Sequence, residues 1–212
     1  MKTSLLILTI IIYTLSLSGQ EDRYYNAMKS AQYQMDQASD PEQYLECANL
    51  FERIALAEKT RWIPYYYACQ SLALMSFQEG DSEKRDLVLD RAQELLDQAL
   101  AIEPGESELY VLQAFIYPSR IMVDPMERGM IYLEKTFGSL EYAKTLNPKN
   151  PRIYYLEGNF KLNIPAEMGG GAEVAKPILE KALALFESFS NPDPLWPQWG
   201  EDATRDELEK LQ

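Results

Sequence analysis

The sequence predicts an all-α fold, an α-solenoid of stacked helix pairs followed by a C-terminal strap and a short capping helix. Three observations predict it. Apolar residues recur at three- and four-residue intervals, as at Leu87, Leu89, Ala92, Leu95, Leu96, Ala99 and Ile102, the period of one helix face, and no stretch alternates cleanly as a strand would. Pro41, Pro64, Pro104, Pro125, Pro148, Pro151 and Pro177 fall at or near the edges of these runs, where a missing N–H suits a first turn or a stop. One spacing also repeats: Ala92, Leu96, Ala99 and Pro104 return as Thr136, Leu140, Ala143 and Pro148.

Taken in order, the chain opens with an address. Lys2 precedes an apolar run from Leu5 to about Leu15, and Ser16, Ser18 and Gly19 supply small residues just before Gln20, the order of a secretory signal peptide. The run is short for a membrane span, so residues 1–19 are expected to be cleaved, with a retained anchor as the alternative. The protein is then periplasmic or secreted, without membrane insertion after cleavage. Helices are expected over 22–38, 41–59, 63–78, 82–102, 106–117, 126–146, 151–163, 172–188 and 202–211. Residues 20–191 form the repeat domain and 192–212 the strap and cap. In the tail NPDPLWPQWGEDATRDELEKLQ, Pro192, Pro194 and Pro197 forbid a helix through Trp196 and Trp199. Thr204 and Glu207 have capping-box spacing, which would start the last helix near Thr204. Two tryptophans on a strap are expected to cover the open end of the array, because terminal units need a cap.

The repeat extends beyond two copies. Ala175, Leu179 and Ala182 continue the spacing with Glu187 in the proline's place, and Cys47, Phe51, Ile54 and Lys59 form a looser early copy. After each stop a second register follows: Tyr65, Cys69 and Leu72 share offsets with Tyr110, Ala114 and Tyr117, and with Tyr154, Gly158 and Lys161. This pattern resembles the tetratricopeptide repeat family, whose helix pair reads W-x2-L-G-x2-Y, then A-x3-F and P. The resemblance covers roughly residues 41–188. The chain departs from it where copies lie 44 and 39 residues apart, at Ala92, Thr136 and Ala175, against about 34 in the family. Glu157 and Lys161 are polar where the family prefers apolar residues. The resemblance implies a right-handed superhelix whose concave face binds a partner. Small residues at Cys69, Ala114 and Gly158 and at Ala92, Thr136 and Ala175 would let paired helices approach closely, with Leu96, Leu140 and Leu179 filling the space between pairs.

Composition limits the function. A net charge of −13 over 212 residues, with no basic cluster, argues against nucleic-acid binding. The chain has no histidine, which removes the commonest general base and metal ligand. No acid/base, metal or cofactor constellation is seen, and an enzyme is not expected. Fourteen tyrosines include consecutive groups of which one or two members can face a core, since neighbours on a helix point about 100° apart. Tyr66, Tyr67 and Tyr155 are therefore candidate partner-binding residues, suited to a peptide or a planar ligand. The run Met168 to Gly171 reads as a flexible turn before a helix rather than an anion loop, because no P-loop lysine follows. Gly-rich turns of this kind resemble those of exported repeat proteins of Gram-negative bacteria. Cys47 and Cys69, on successive antiparallel helices, stand about 9 Å out of step along the axes, beyond the roughly 7 Å reach of a disulfide. Two buried thiols are expected. The sequence thus favours an exported scaffold binding a protein or peptide partner, with a solute-binding or accessory subunit of a transport system as the alternative.

Overall fold

A computed structural model describes residues 2–211, with side chains described from Gly19 to Leu211. The helices are α1 (Lys2–Gln37), α2 (Pro41–Ala57), α3 (Trp62–Gln78), α4 (Ser82–Ile102), α5 (Ser107–Val123), α6 (Pro125–Leu146), α7 (Pro151–Asn163), α8 (Ala172–Ser188) and α9 (Glu201–Lys210). Among the described residues there is no strand. Most of the expected export segment, 1–19, has its side chains outside the described residues. No described helix is long and apolar enough to cross a membrane.

Acceptors from the sequence set several helix starts. Asp40, Asp81, Asp124 and Asn150 accept the free N–H groups of Gln43, Lys84, Glu127 and Arg152 at 2.9–3.0 Å, and Pro41, Pro125 and Pro151 fill first-turn positions whose N–H has no helical partner. Two prolines lie inside helices instead of at their edges. Pro118 is carried within α5, which runs to Val123 rather than stopping at 117, and Pro177 lies within α8. Tertiary contacts offset the lost backbone bond in α5: buried Ser119 meets Ser76 hydroxyl to hydroxyl at 2.8 Å, and Arg120 pairs with Asp86 and Asp90, each at 2.6 Å. The last helix begins at Glu201, ahead of the expected capping box. Thr204 is buried inside it, with its hydroxyl donating back to the Gly200 carbonyl at 2.6 Å.

The repeated spacing describes the packing well. Ala92, Leu96, Ala99, Thr136, Leu140, Ala143, Ala175, Leu179 and Ala182 are all buried. Gly158 on α7 faces Leu179 on α8 so closely that a Cβ would lie 2.7 Å from the leucine Cγ. The repeat also shows in polar detail, since Tyr110 and Tyr154 each donate to the carbonyl six residues back, on Pro104 at 3.1 Å and Pro148 at 2.9 Å. Leu87, included in the apolar period, is instead exposed. Helix α3 packs on α5 and α5 on α7, so the first helices of successive pairs form an inner layer, with α2, α4, α6 and α8 behind it. One buried cluster spans α1 to α5 and a second spans α5 to α8. Cys47 and Cys69 are free and buried, and burial pushes both thiols up.

The Gly-rich turn is structural. Gly169 and Gly171 hold φ of 82° and 89°, the left-handed region that glycine adopts without strain. A Cβ on Gly170 would lie 2.3 Å from the Ile164 carbonyl oxygen. Their N–H groups donate to Ala166, Pro165 and Lys161 carbonyls at 2.8–3.1 Å, leaving none for an anion.

Candidate functional site

The strap departs most from expectation. After α8 it does not simply cover the far end of the array; it runs back across the inner layer. Leu195 is buried in the first core cluster and Trp199 packs on the second, so the segment joins both. Its prolines make this possible by preventing a helix and fixing a turn, in which the Trp196 N–H donates to the Asp193 carbonyl at 3.1 Å with Pro194 next after Asp193. The short α9 then packs against α8 after a reversal at Gly200, where φ is 107° and Phe186 leaves no room for a Cβ.

Tyr66 and Tyr67, expected to face a partner, lie under this strap. Tyr66 is fully buried and accepts the Trp199 indole N–H at 2.8 Å; Tyr67 donates to the Leu195 carbonyl at 3.1 Å. Burial pushes both phenols well up, so they remain neutral. Tyr155 is half-buried, edge-on to Trp199 at 6.0 Å between ring centroids. Burial raises its phenol too. The three tyrosines are thus brought to one surface, but the chain's own tail occupies that surface. The sequence pattern placed the strap at the end of the array, and so left these rings open.

Beneath the strap lies a pair that sequence reasoning missed. Arg152 on α7 and Glu108 on α5 form an ion pair at 2.8 Å with side-chain exposures of 2% and 0%, and Arg152 also donates to the Pro197 carbonyl. The guanidinium lies 5.6 Å from the centroid of the Trp199 ring. Burial raises the Glu108 carboxyl, with Arg152 opposing. A signal existed in the sequence: the two residues are 44 apart, the spacing between the copies at Ala92 and Thr136, so they occupy equivalent places on neighbouring units.

Strap and helices together enclose a cleft of about 690 Å³ between α1, α3 and residues 194–199. Tyr33 and Met35 come from α1, Tyr67 and Leu74 from α3, and Trp196 and Trp199 from the strap. Tyr33 is exposed, whereas Trp196 is held edge-on to Trp62 at 5.1 Å. Lys29 stands at the cleft and bonds the Pro194 carbonyl at 2.7 Å; it makes no ion pair among the described residues. The volume falls in the range of small-molecule sites, about 300–1,000 Å³. Among the described residues no group of histidine, cysteine or carboxylate side chains could hold a metal ion.

These features define a tetratricopeptide-like helical-repeat protein whose inner face is lined with aromatic rings and crossed by its own tail. Comparison with protein-family models and with curated proteins gives no match. Among solved structures the chain is similar to the HusA haemophore from Porphyromonas gingivalis, at 28% identity and a TM-score of 0.80, covering 89% of this chain and 92% of that one. It is also similar in fold to a thermophilic TPR protein of Thermus thermophilus, at 19% identity and a TM-score of 0.61, covering 89% of this chain and 80% of that one.

Proposed function

We propose that the protein is an exported binding scaffold, rather than an enzyme, that carries a planar apolar ligand of the haem class in the cleft between α1, α3 and the strap. The observation that carries this reading is the cleft itself, where Tyr33, Trp196 and Trp199 gather around about 690 Å³ with Lys29 at its side. Flat aromatic rings are matched by a flat macrocycle, and a lysine without an ion-pair partner suits the carboxylates such a molecule bears. The likeness to a haemophore over nine-tenths of both chains supports the same ligand class. With no histidine in the chain, the Tyr33 phenol, the Met35 sulfur and the Asp36 carboxylate are the cleft-lining groups able to approach an iron atom, whereas the Tyr67 hydroxyl is engaged with the Leu195 carbonyl. Export to the periplasm or beyond rests on the signal-like segment before Gln20.

Haemin titrated into the mature chain should quench tryptophan fluorescence saturably, at one equivalent. Tyr33→Ala and Trp196→Ala should each weaken binding about tenfold, the effect of losing about 1.4 kcal/mol. Failure to saturate, or variants that bind as the parent does, would remove the haem-class reading. A protein or peptide partner, the ligand the sequence first suggests, keeps one observation in its favour: the inner face already holds a peptide segment.

A further inference from the structure

The strap is bound in a manner that identifies what the inner face is built to receive. From Pro192 to Pro197 every N–H is either absent or satisfied within residues 191–197. The three prolines have none. Asp193 donates to Asn191 Oδ1 and Leu195 to Asp193 Oδ1, each at 2.9 Å, and Trp196 donates to the Asp193 carbonyl at 3.1 Å. Carbonyls remain, and the helices meet them with donors. Lys29 Nζ reaches Pro194 at 2.7 Å, Gln32 Nε2 reaches Leu195 at 3.0 Å, Tyr67 Oη reaches Leu195 at 3.1 Å, and Arg152 reaches Pro197. A segment with free N–H groups would bury them against donors, at the cost of unmade hydrogen bonds. The buried Leu195 side chain and the Trp199 indole, donating to Tyr66, supply the side-chain anchors.

From this match we infer that the inner face is a receptor for proline-framed Pro-Leu-Trp-Pro turns, that the strap is its ligand in cis, and that a partner chain bearing such a turn binds by displacing it. The inference stands apart from the haem-class reading. The Trp196 indole of the strap also faces the buried Glu108 carboxyl, whose charged form it favours. The turn is preorganised by its own aspartate and prolines, which lowers the ordering cost of binding.

The probe is a fluorescein-labelled peptide of residues 190–200, titrated into the mature chain and followed by anisotropy. The attached strap competes at a millimolar effective concentration, so the intact chain should bind weakly. Leu195→Ser in the protein removes the cis anchor and should tighten peptide binding at least tenfold. Adding Lys29→Ala and Gln32→Ala should reverse the gain, and a scrambled peptide should not bind. A helical Leu195→Ser chain that ignores the peptide, or binds the scrambled one equally, overturns the inference. If that variant loses its helical circular dichroism, the strap of the parent is cut at a protease site inserted between Ser190 and Asn191. The labelled peptide must then exchange into the cut protein, and failure to do so likewise overturns it.

Discussion

Gly158 is a residue whose value lies in what it lacks. A Cβ there would meet Leu179 Cγ at 2.7 Å and Leu179 N at 3.3 Å, and Leu179, fully buried, has no room to withdraw. Alanine would gain about 1 kcal/mol in helix propensity but incur about 1–3 kcal/mol of overpacking. Gly158→Ala should therefore lower stability in chemical denaturation, and a raised midpoint would contradict the close α7 and α8 contact. Glu106 makes a second test. It caps α5 by accepting the Glu108 N–H at 2.9 Å, yet burial, with Glu108 and Glu103 adding to it, raises its carboxyl from 4.5 to about 7. The folded state thus holds this proton more tightly than the unfolded chain does. Its contribution is full below about pH 4.5 and is lost as pH rises to about 7. Glu106→Gln keeps a capping oxygen and removes the titration, so its melting temperature should climb relative to the parent across that window. A constant difference would contradict the raised carboxyl.

At the scale of elements, helix periodicity and the 92/136/175 register were legible because local spacing alone fixes which residues share a face, whereas the capping box expected at Thr204 lies inside α9. What the sequence concealed depended on contacts between distant segments. The end of α5 was hidden because Pro118 reads as a stop, while the ties of Ser119 and Arg120 to α3 and α4 lie outside any local window. The strap's course was hidden for the same reason, since the carbonyls of residues 194, 195 and 197 are held by residues 29, 32, 67 and 152. Tyr66, Tyr67 and Tyr155 were expected to face a partner and are instead packed beneath the strap, whereas Arg152, Glu108, Lys29 and Tyr33 were not singled out, because lone charged or aromatic residues on helices carry no motif. The Gly-rich element was read correctly as a turn, and its geometry gives a sharper expectation. Gly170→Ala would place a Cβ 2.3 Å and 2.6 Å from two backbone oxygens, atoms that move only with the chain. It should cost at least as much stability as Gly158→Ala, and thermal denaturation showing an unchanged midpoint would contradict the turn as described.

Across the whole molecule, a chain of stacked pairs gains its core by burying each pair against the next, and here the tail adds a further tie by entering both core clusters. The same tail makes the cleft, since Trp196 and Trp199 form one of its walls. Fold and candidate site therefore depend on a single placement, that of residues 192–200 on the inner layer. Hydrogen exchange read by NMR tests that placement directly. The Trp199 indole N–H, bonded to Tyr66, and the amides of Leu195 and Trp196 should exchange far more slowly than in a free peptide. Haemin should slow exchange further at the strap and at Gln32 and Tyr33, leaving α6 and α8 unchanged. Strap amides exchanging at free-peptide rates, or protection by haemin on the outer helices alone, would contradict both the seated strap and the cleft it completes.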